Sequence, residues 1–214
     1  WNVDIWGAEG VEADAELISV LVHFFQSVGL TSEDLVIRIS SRKVLEEVLG
    51  SLGITGEDFS KTCVVVDKMD KLPAEAIEGQ LSELGLDNQA VSTIQSVLGI
   101  RDMGSLQDSL GGDSEAVLEL DSLFGLIEAY GASDWVALDA SVVRGLAYYT
   151  GPVFEASDRS GELRAICGGG RYDRLIGTLG GKDLPATGFG FGDMVVIELL
   201  QTKGLIPELS HGVS

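Results

Sequence analysis

The sequence predicts an α+β fold: an antiparallel sheet with flanking helices, interrupted by a mainly helical insertion. Three observations lead to that expectation. Short runs near both ends alternate apolar and polar side chains, as half-buried strands do. The stretch between them, residues 42–132, places its leucines and valines at helical spacing. The character of the chain also changes: residues 42–132 hold 17 acids against 6 bases, whereas residues 133–192 are near neutral, with 7 against 6, and concentrate the glycines. The expected organisation is therefore a first β-rich piece over 1–41, a helical insertion domain over 42–132, and a second β-rich piece over 133–214.

Residues 1–7 set Val3 and Ile5 against Asn2 and Asp4, a short strand. From 13 to 28, Leu17, Leu21, Phe24, Phe25 and Val28 fall on one helical face, and Gly29 supplies the stop. Residues 35–39 form the next strand. Residues 43–50 are helical, 62–66 are a short β-branched run, and amphipathic segments follow over 74–84, 87–98, 105–110 and 115–130, separated by Gly, Asp or Pro. Beyond Trp135 the period becomes two. Residues 135–139, 152–157, 163–169 and 187–192 are expected as strands of a meander, with a closing helix over 193–202 that ends at Gly204.

Composition narrows the function. The 214 residues contain 45% hydrophobic and 22% charged side chains, and no run of about 18 apolar residues, so no membrane span is expected. Cys63 and Cys167 are the only cysteines, too few for a disulfide framework, and a reducing compartment is the natural setting. His23 and His211 have no partners at ligand spacing, so no protein-bound metal is expected. The net charge of −20 opposes nonspecific binding to nucleic acid, and an anionic substrate belongs with the near-neutral second half. The chain begins with Trp rather than Met, so a targeting segment ahead of it remains compatible with the sequence.

Three clusters depart from what packing demands. In 144–151, RGLAYYTG, an arginine is followed by two adjacent tyrosines; on a strand these would face opposite sides, leaving one free to meet a ligand. In 167–173, CGGGRYD, three glycines fit either a wide turn or bare backbone beneath a flat ligand. In 187–192, TGFGFG, glycine alternates with phenylalanine, so one strand face is bare and the other buries two rings. No Ser-His-Asp set, metal cluster or Walker sequence is present. Arg144 is then the strongest candidate for polar chemistry, because a fixed guanidinium can grip a phosphate in two places.

Together these clusters resemble the histidyl-tRNA synthetase family of class II aminoacyl-tRNA synthetases. RGLAYYTGPVFE at 144–155 is similar to the first histidine motif of the family, GGGRYD at 168–173 to the second, and GFGFG at 188–192 to class motif 3. WNVDIWG at 1–7 is similar to the second strand of motif 2, and the acidic block sits where the family carries its inserted helical domain. The resemblance implies the class II sheet and the two-step reaction of the family, in which histidine and ATP, accompanied by Mg2+, form histidyl-adenylate and the histidyl group passes to tRNA. It gives Arg144 the α-phosphate, and the histidine pocket to Asp4, Tyr148, Tyr149 and Tyr172. It makes Gly168, Gly169, Gly170, Gly188, Gly190 and Gly192 the floor beneath substrate and adenine. A homodimeric parent enzyme is implied as well.

The departures from the family pattern are informative. Val195 stands where the family has its motif 3 arginine, and Ala147 replaces a common aspartate. Both features resemble the plant and algal organellar branch, which implies a chloroplast or mitochondrion, with the cytoplasm as the other soluble location. The motif 2 arginine and motif 1 would precede Trp1, and an anticodon-binding domain would follow Ser214. The isolated chain is therefore expected to be one piece of the catalytic domain with little aminoacylation activity. Two other readings compete with this one. A non-catalytic regulatory subunit of histidine biosynthesis shares the fold but usually lacks the histidine motifs, which are retained here. An interaction module built on the acidic insert is weaker still, since a solvated face explains its charge.

Overall fold

A computed structural model describes residues 1–68, 72–146 and 148–206. Ala147 and His211, both named above, lie outside the described residues. One mixed sheet runs through the molecule: β1 (Asn2–Trp6), β2 (Leu35–Ser41), β3 (Val136–Leu138), β4 (Pro152–Asp158), β5 (Cys167–Arg171) and β6 (Ala186–Phe191). Their spatial order is β1-β6-β5-β4-β2-β3. The strands β4, β5 and β6 form the expected meander. The segment expected as its first strand does not join it: β3 pairs with β2 at the far edge, and that pairing is parallel. A parallel neighbour needs a long crossover, which the helices between β2 and β3 provide.

Helix α1 (Glu12–Ser27) turns Leu17, Ile18, Leu21, Val22 and Phe25 inward and stops at Gly29, whose φ of +86° suits a residue without Cβ. Between β2 and β3 lie α2 (Arg42–Ser51), α3 (Gly56–Val66), α4 (Ala74–Glu83), α5 (Asn88–Leu98), α6 (Met103–Leu110) and α7 (Glu115–Ala129). Their starts follow the local sequence. Asp87, Asp102 and Ser114 each accept a backbone N–H of their own first turn, at 2.8, 2.8 and 3.2 Å. The β-branched run at 62–66 is the end of α3, where Thr62, Cys63, Val65 and Val66 are buried and the Thr62 hydroxyl donates to the Asp58 carbonyl at 2.8 Å. Burial on a helical face overrides the weak strand preference of such residues. One hydrophobic cluster joins sheet residues such as Ile37, Phe154 and Phe189 to Leu49, Ile94 and Leu120 of the helices between β2 and β3. No described helix is long and apolar enough to cross a membrane.

The triple glycine is the centre of a strand rather than a turn. The strand expected at 163–169 begins at Cys167, because Asp158 accepts the N–H groups of Glu162 and Leu163 at 3.1 Å each and so closes the β4–β5 hairpin first. After β5 come the short α8 (Leu175–Thr178), then β6 and α9 (Asp193–Thr202).

One buried ion pair ties these pieces together. Arg171, at the end of β5, donates from Nε and Nη2 to Asp14 Oδ2 of α1 at 2.9 and 2.6 Å. It also donates to the carbonyls of Ala8 at 2.9 Å and Gly10 at 2.6 Å, and to Asp173 at 3.1 Å. Burial raises the Asp14 pKa from 3.8 to about 6, with the Arg171 charge acting in the opposite direction. Removing one partner of such a pair leaves the other charge buried alone. Asp14→Ala should therefore lower stability to urea by about 3–5 kcal/mol. A loss below about 1 kcal/mol would mean that Asp173 and the two carbonyls suffice to hold Arg171 without Asp14.

Candidate functional site

Strand register sorts the side chains onto two faces. Directly paired residues share a face, as do residues two apart along a strand. Val3, Phe189, Gly169, Phe154 and Ile39 are paired in sequence across five strands and face the helices. The opposite face carries Asn2, Gly190, Gly168, Glu155 and Arg38 in one row. Beside it runs a second row of Asp4, Gly188, Gly170 and Val153. Four glycines, two on β5 and two on β6, thus form a bare patch in the middle of that face.

Each glycine is bare for its own reason. A Cβ on Gly188 would lie 2.0 Å from Asp4 Oδ1, and one on Gly168 would lie 2.5 Å from Arg144 Cζ. At Gly190 a Cβ would meet nothing within 4 Å, so the floor is open there. Gly169 points the other way, and a Cβ would come 2.7 Å from the Phe189 Cβ. Its glycine serves close packing of β5 against β6.

At one end of the patch is an aromatic box with a carboxylate. Asp4 accepts from the Tyr172 hydroxyl and, at 2.7 Å, from Asn2 Nδ2. Tyr172 has the edge of Trp6 at 5.8 Å and of Tyr148 at 5.9 Å, and Tyr148 lies 4.7 Å from Tyr149 between ring centroids. Burial first, and then the bond to Asp4, push the Tyr172 pKa well above the ordinary tyrosine value, so it remains a neutral donor. Burial does the same to Tyr149. These groups, with Gly188 and Gly190, line a cavity of about 270 Å³. A small ring bearing N–H groups fits such a box, with the carboxylate as acceptor.

At the other end lies Arg144, in a loop. Its φ of +51° is the only positive value at a non-glycine among the described residues, a strained conformation of the kind that collects at functional positions. Its guanidinium rests over Gly168 and pairs with Glu155. Arg144 Nε is buried without a hydrogen-bond partner. The C-terminal end of α3 reaches this loop, since a Cβ on Gly145 would come 2.7 Å from Asp67 Oδ2. A second cavity, of about 420 Å³, is lined here by Asp67, Val143, Arg144, Glu155 and Arg164. Cys167 is no nucleophile at neutral pH, because burial pushes its thiol up to about 12.

Asp4, Tyr148, Tyr149, Tyr172, Gly188 and Gly190 of the expected site are thus brought to one cavity, and Arg144 with Gly168 to the other end of the same floor. Gly169, Gly170 and Gly192 line neither cavity. Asn2, Trp6, Asp67, Glu155 and Arg164 join the site without having been singled out. The two-residue spacing of Asn2 with Asp4 was the available signal for the first of them, whereas Glu155 and Arg164 depend on strand pairing that no local pattern reveals.

The family described as histidyl-tRNA synthetase matches residues 2–193 of the chain. The histidine–tRNA ligase, chloroplastic/mitochondrial, of Arabidopsis thaliana is 50% identical over 213 residues, covering 100% of this chain and 44% of that protein. The histidine–tRNA ligase of Opitutus terrae is 40% identical, with 97% of this chain and 49% of that protein covered. The crystal structure of histidyl-tRNA synthetase from Nostoc sp. PCC 7120 superimposes with a TM-score of 0.81 at 27% identity, over 96% of this chain and 50% of that one. The chain spans about half the length of the relatives it matches. On this match over residues 2–193, which includes both ends of the glycine floor, the chain belongs to the histidyl-tRNA synthetase family.

Proposed function

We propose that the protein carrying this chain is a histidine–tRNA ligase, which activates histidine with ATP to histidyl-adenylate and transfers it to tRNA. The observation that carries the reading is the pair of unlike ends on one bare floor: a carboxylate in an aromatic box, and an arginine about two strands away. Asp4 accepts from the imidazole, with Tyr172, Tyr148 and Tyr149 closing around the ring. Gly168, Gly188 and Gly190, with Gly170 beside them on the same face, leave backbone against which the adenylate lies, whereas Gly169 faces the helices. Arg144 meets the α-phosphate and stabilises the charge that grows as the histidine carboxylate attacks and pyrophosphate leaves. Mg2+ enters with ATP as part of the substrate.

In this reading residues 1–41 and 133–214 are parts of the catalytic domain and 42–132 is the insertion domain. The enzyme works as a homodimer, with histidine, ATP and tRNA as its partners. The Arabidopsis relative supports a chloroplast or mitochondrion as its location. A regulatory subunit of histidine biosynthesis is the weaker reading, since it has no use for Arg144 beside an intact aromatic box.

Histidine-dependent exchange between ATP and pyrophosphate by the full-length protein tests the reading, and binding of histidine with no exchange would favour the regulatory one. Arg144→Ala should lower kcat of that exchange roughly 100- to 1,000-fold, the usual consequence of losing one preorganised group at a developing charge. Arg144→Lys should fail to restore it, because a point charge does not reproduce the planar fork. Asp4→Asn should raise the KM for histidine about 10- to 100-fold, the scale of one charged hydrogen bond, with the KM for ATP within about twofold by the same measure.

A further inference from the structure

We infer that Arg164 is a second cation for the phosphate chain of ATP, supplied by the β4–β5 hairpin; the inference rests on the function proposed above. Arg164 lines two adjoining hollows. One is the cavity of about 420 Å³ that holds Arg144. The other is a groove along α9, lined by Met194, Val195, Ile197, Glu198 and Gln201 besides Arg164. Among the described residues lining these two hollows, Arg144 and Arg164 are the only cations.

Arg144 cannot serve a chain of phosphates by itself, since Glu155 already neutralises much of its charge. Arg164 is in the opposite condition. It is exposed, and among the described residues it makes no hydrogen bond or ion pair, although Glu198 lines the same groove. Its backbone is nonetheless held from both sides. The Leu163 N–H is bound by Asp158 at 3.1 Å, the Ile166 N–H donates to the Ala156 carbonyl at 2.8 Å, and the Gly192 N–H donates to the Ile166 carbonyl at 2.8 Å. A long cationic side chain on a fixed stem, free at its tip and beside a half-neutralised arginine, suits a ligand of several negative charges.

The groove explains why the cation must come from the hairpin. The first turn of α9 offers Asp193, the exposed Met194 and the buried Val195. Val195 stands where a motif 3 arginine is expected, so α9 presents no positive group on this side. Arg164 reaches the same groove from the neighbouring strand end. Phosphates running outward from Arg144 would pass between the hairpin and α9 and meet Arg164 next.

The test uses the full-length protein and its Arg164→Ala and Arg164→Lys variants. ATP binding is followed by calorimetry, and histidine-dependent ATP–pyrophosphate exchange by its two KM values. Arg164→Ala should weaken ATP binding and raise the KM for ATP at least fivefold, with the KM for histidine within twofold, and Arg164→Lys should recover part of the loss. Wild-type exchange with unaltered ATP binding in Arg164→Ala would overturn the inference and leave the ligase reading standing. An equal rise in both KM values, or an effect only on the KM for tRNA in aminoacylation, would also overturn it. Wild-type protein with no exchange would remove the ligase reading and this inference together.

Discussion

The arrangement depends on one buried guanidinium. Arg171 ends the strand that carries the triple glycine, yet its side chain turns to the helical side of the sheet and holds Asp14 of α1 and the carbonyls of Ala8 and Gly10. It therefore clamps the connection between β1 and α1 beneath the sheet, while Asp4 and Tyr172 meet above it. Asp173 continues the clamp: it binds Arg171 at 3.1 Å, takes the Thr150 hydroxyl at 3.1 Å and accepts the Ala186 N–H at 3.2 Å. Arg171, Tyr172 and Asp173 thus divide their tasks by the alternation of the chain. The arginine and the aspartate fix three separate segments, and the tyrosine between them serves the cavity.

That division is general across the sheet. The helical side is filled by Phe154, Phe189 and Phe191 against α1, with Phe25 and Trp135 stacked behind them. The other side is left almost without side chains at its centre, with an anionic and aromatic group at one end and a cationic group at the other. Packing on one face makes rigidity, and bareness on the other makes room. The same six-residue run, from Ala186 to Phe191, provides both.

Much of this was legible in local pattern. The alternation of glycine with phenylalanine in 187–192 told the bare face from the buried one, and α2, α5, α6 and α7 start at capping side chains, whereas α3 and α4 have none. What escaped was whatever depends on pairing between distant segments. The triple glycine suits a turn as well as a strand locally, and only pairing with β4 and β6 on either side makes it a strand. The parallel placement of β3 is decided by the long helical crossover, not by its own three residues. Asp14, an acid inside an amphipathic helix, gave no sign of a partner 157 positions away. The adjacent tyrosines were expected to split between core and ligand as on a strand. They sit in a loop, where both can line one cavity, although Tyr149 is buried and Tyr148 half exposed.

The glycine floor has a consequence for how specificity can change. Bare backbone has no rotamers to lose when a flat ligand settles on it, so the surface contributes little entropic penalty and little discrimination. Selectivity is left to the side chains at the two ends, which stand on different segments and can vary without disturbing what lies between them. A platform of this kind is indifferent to the identity of its guest, so a change of ligand would be written in the side chains at its margin and leave the floor untouched.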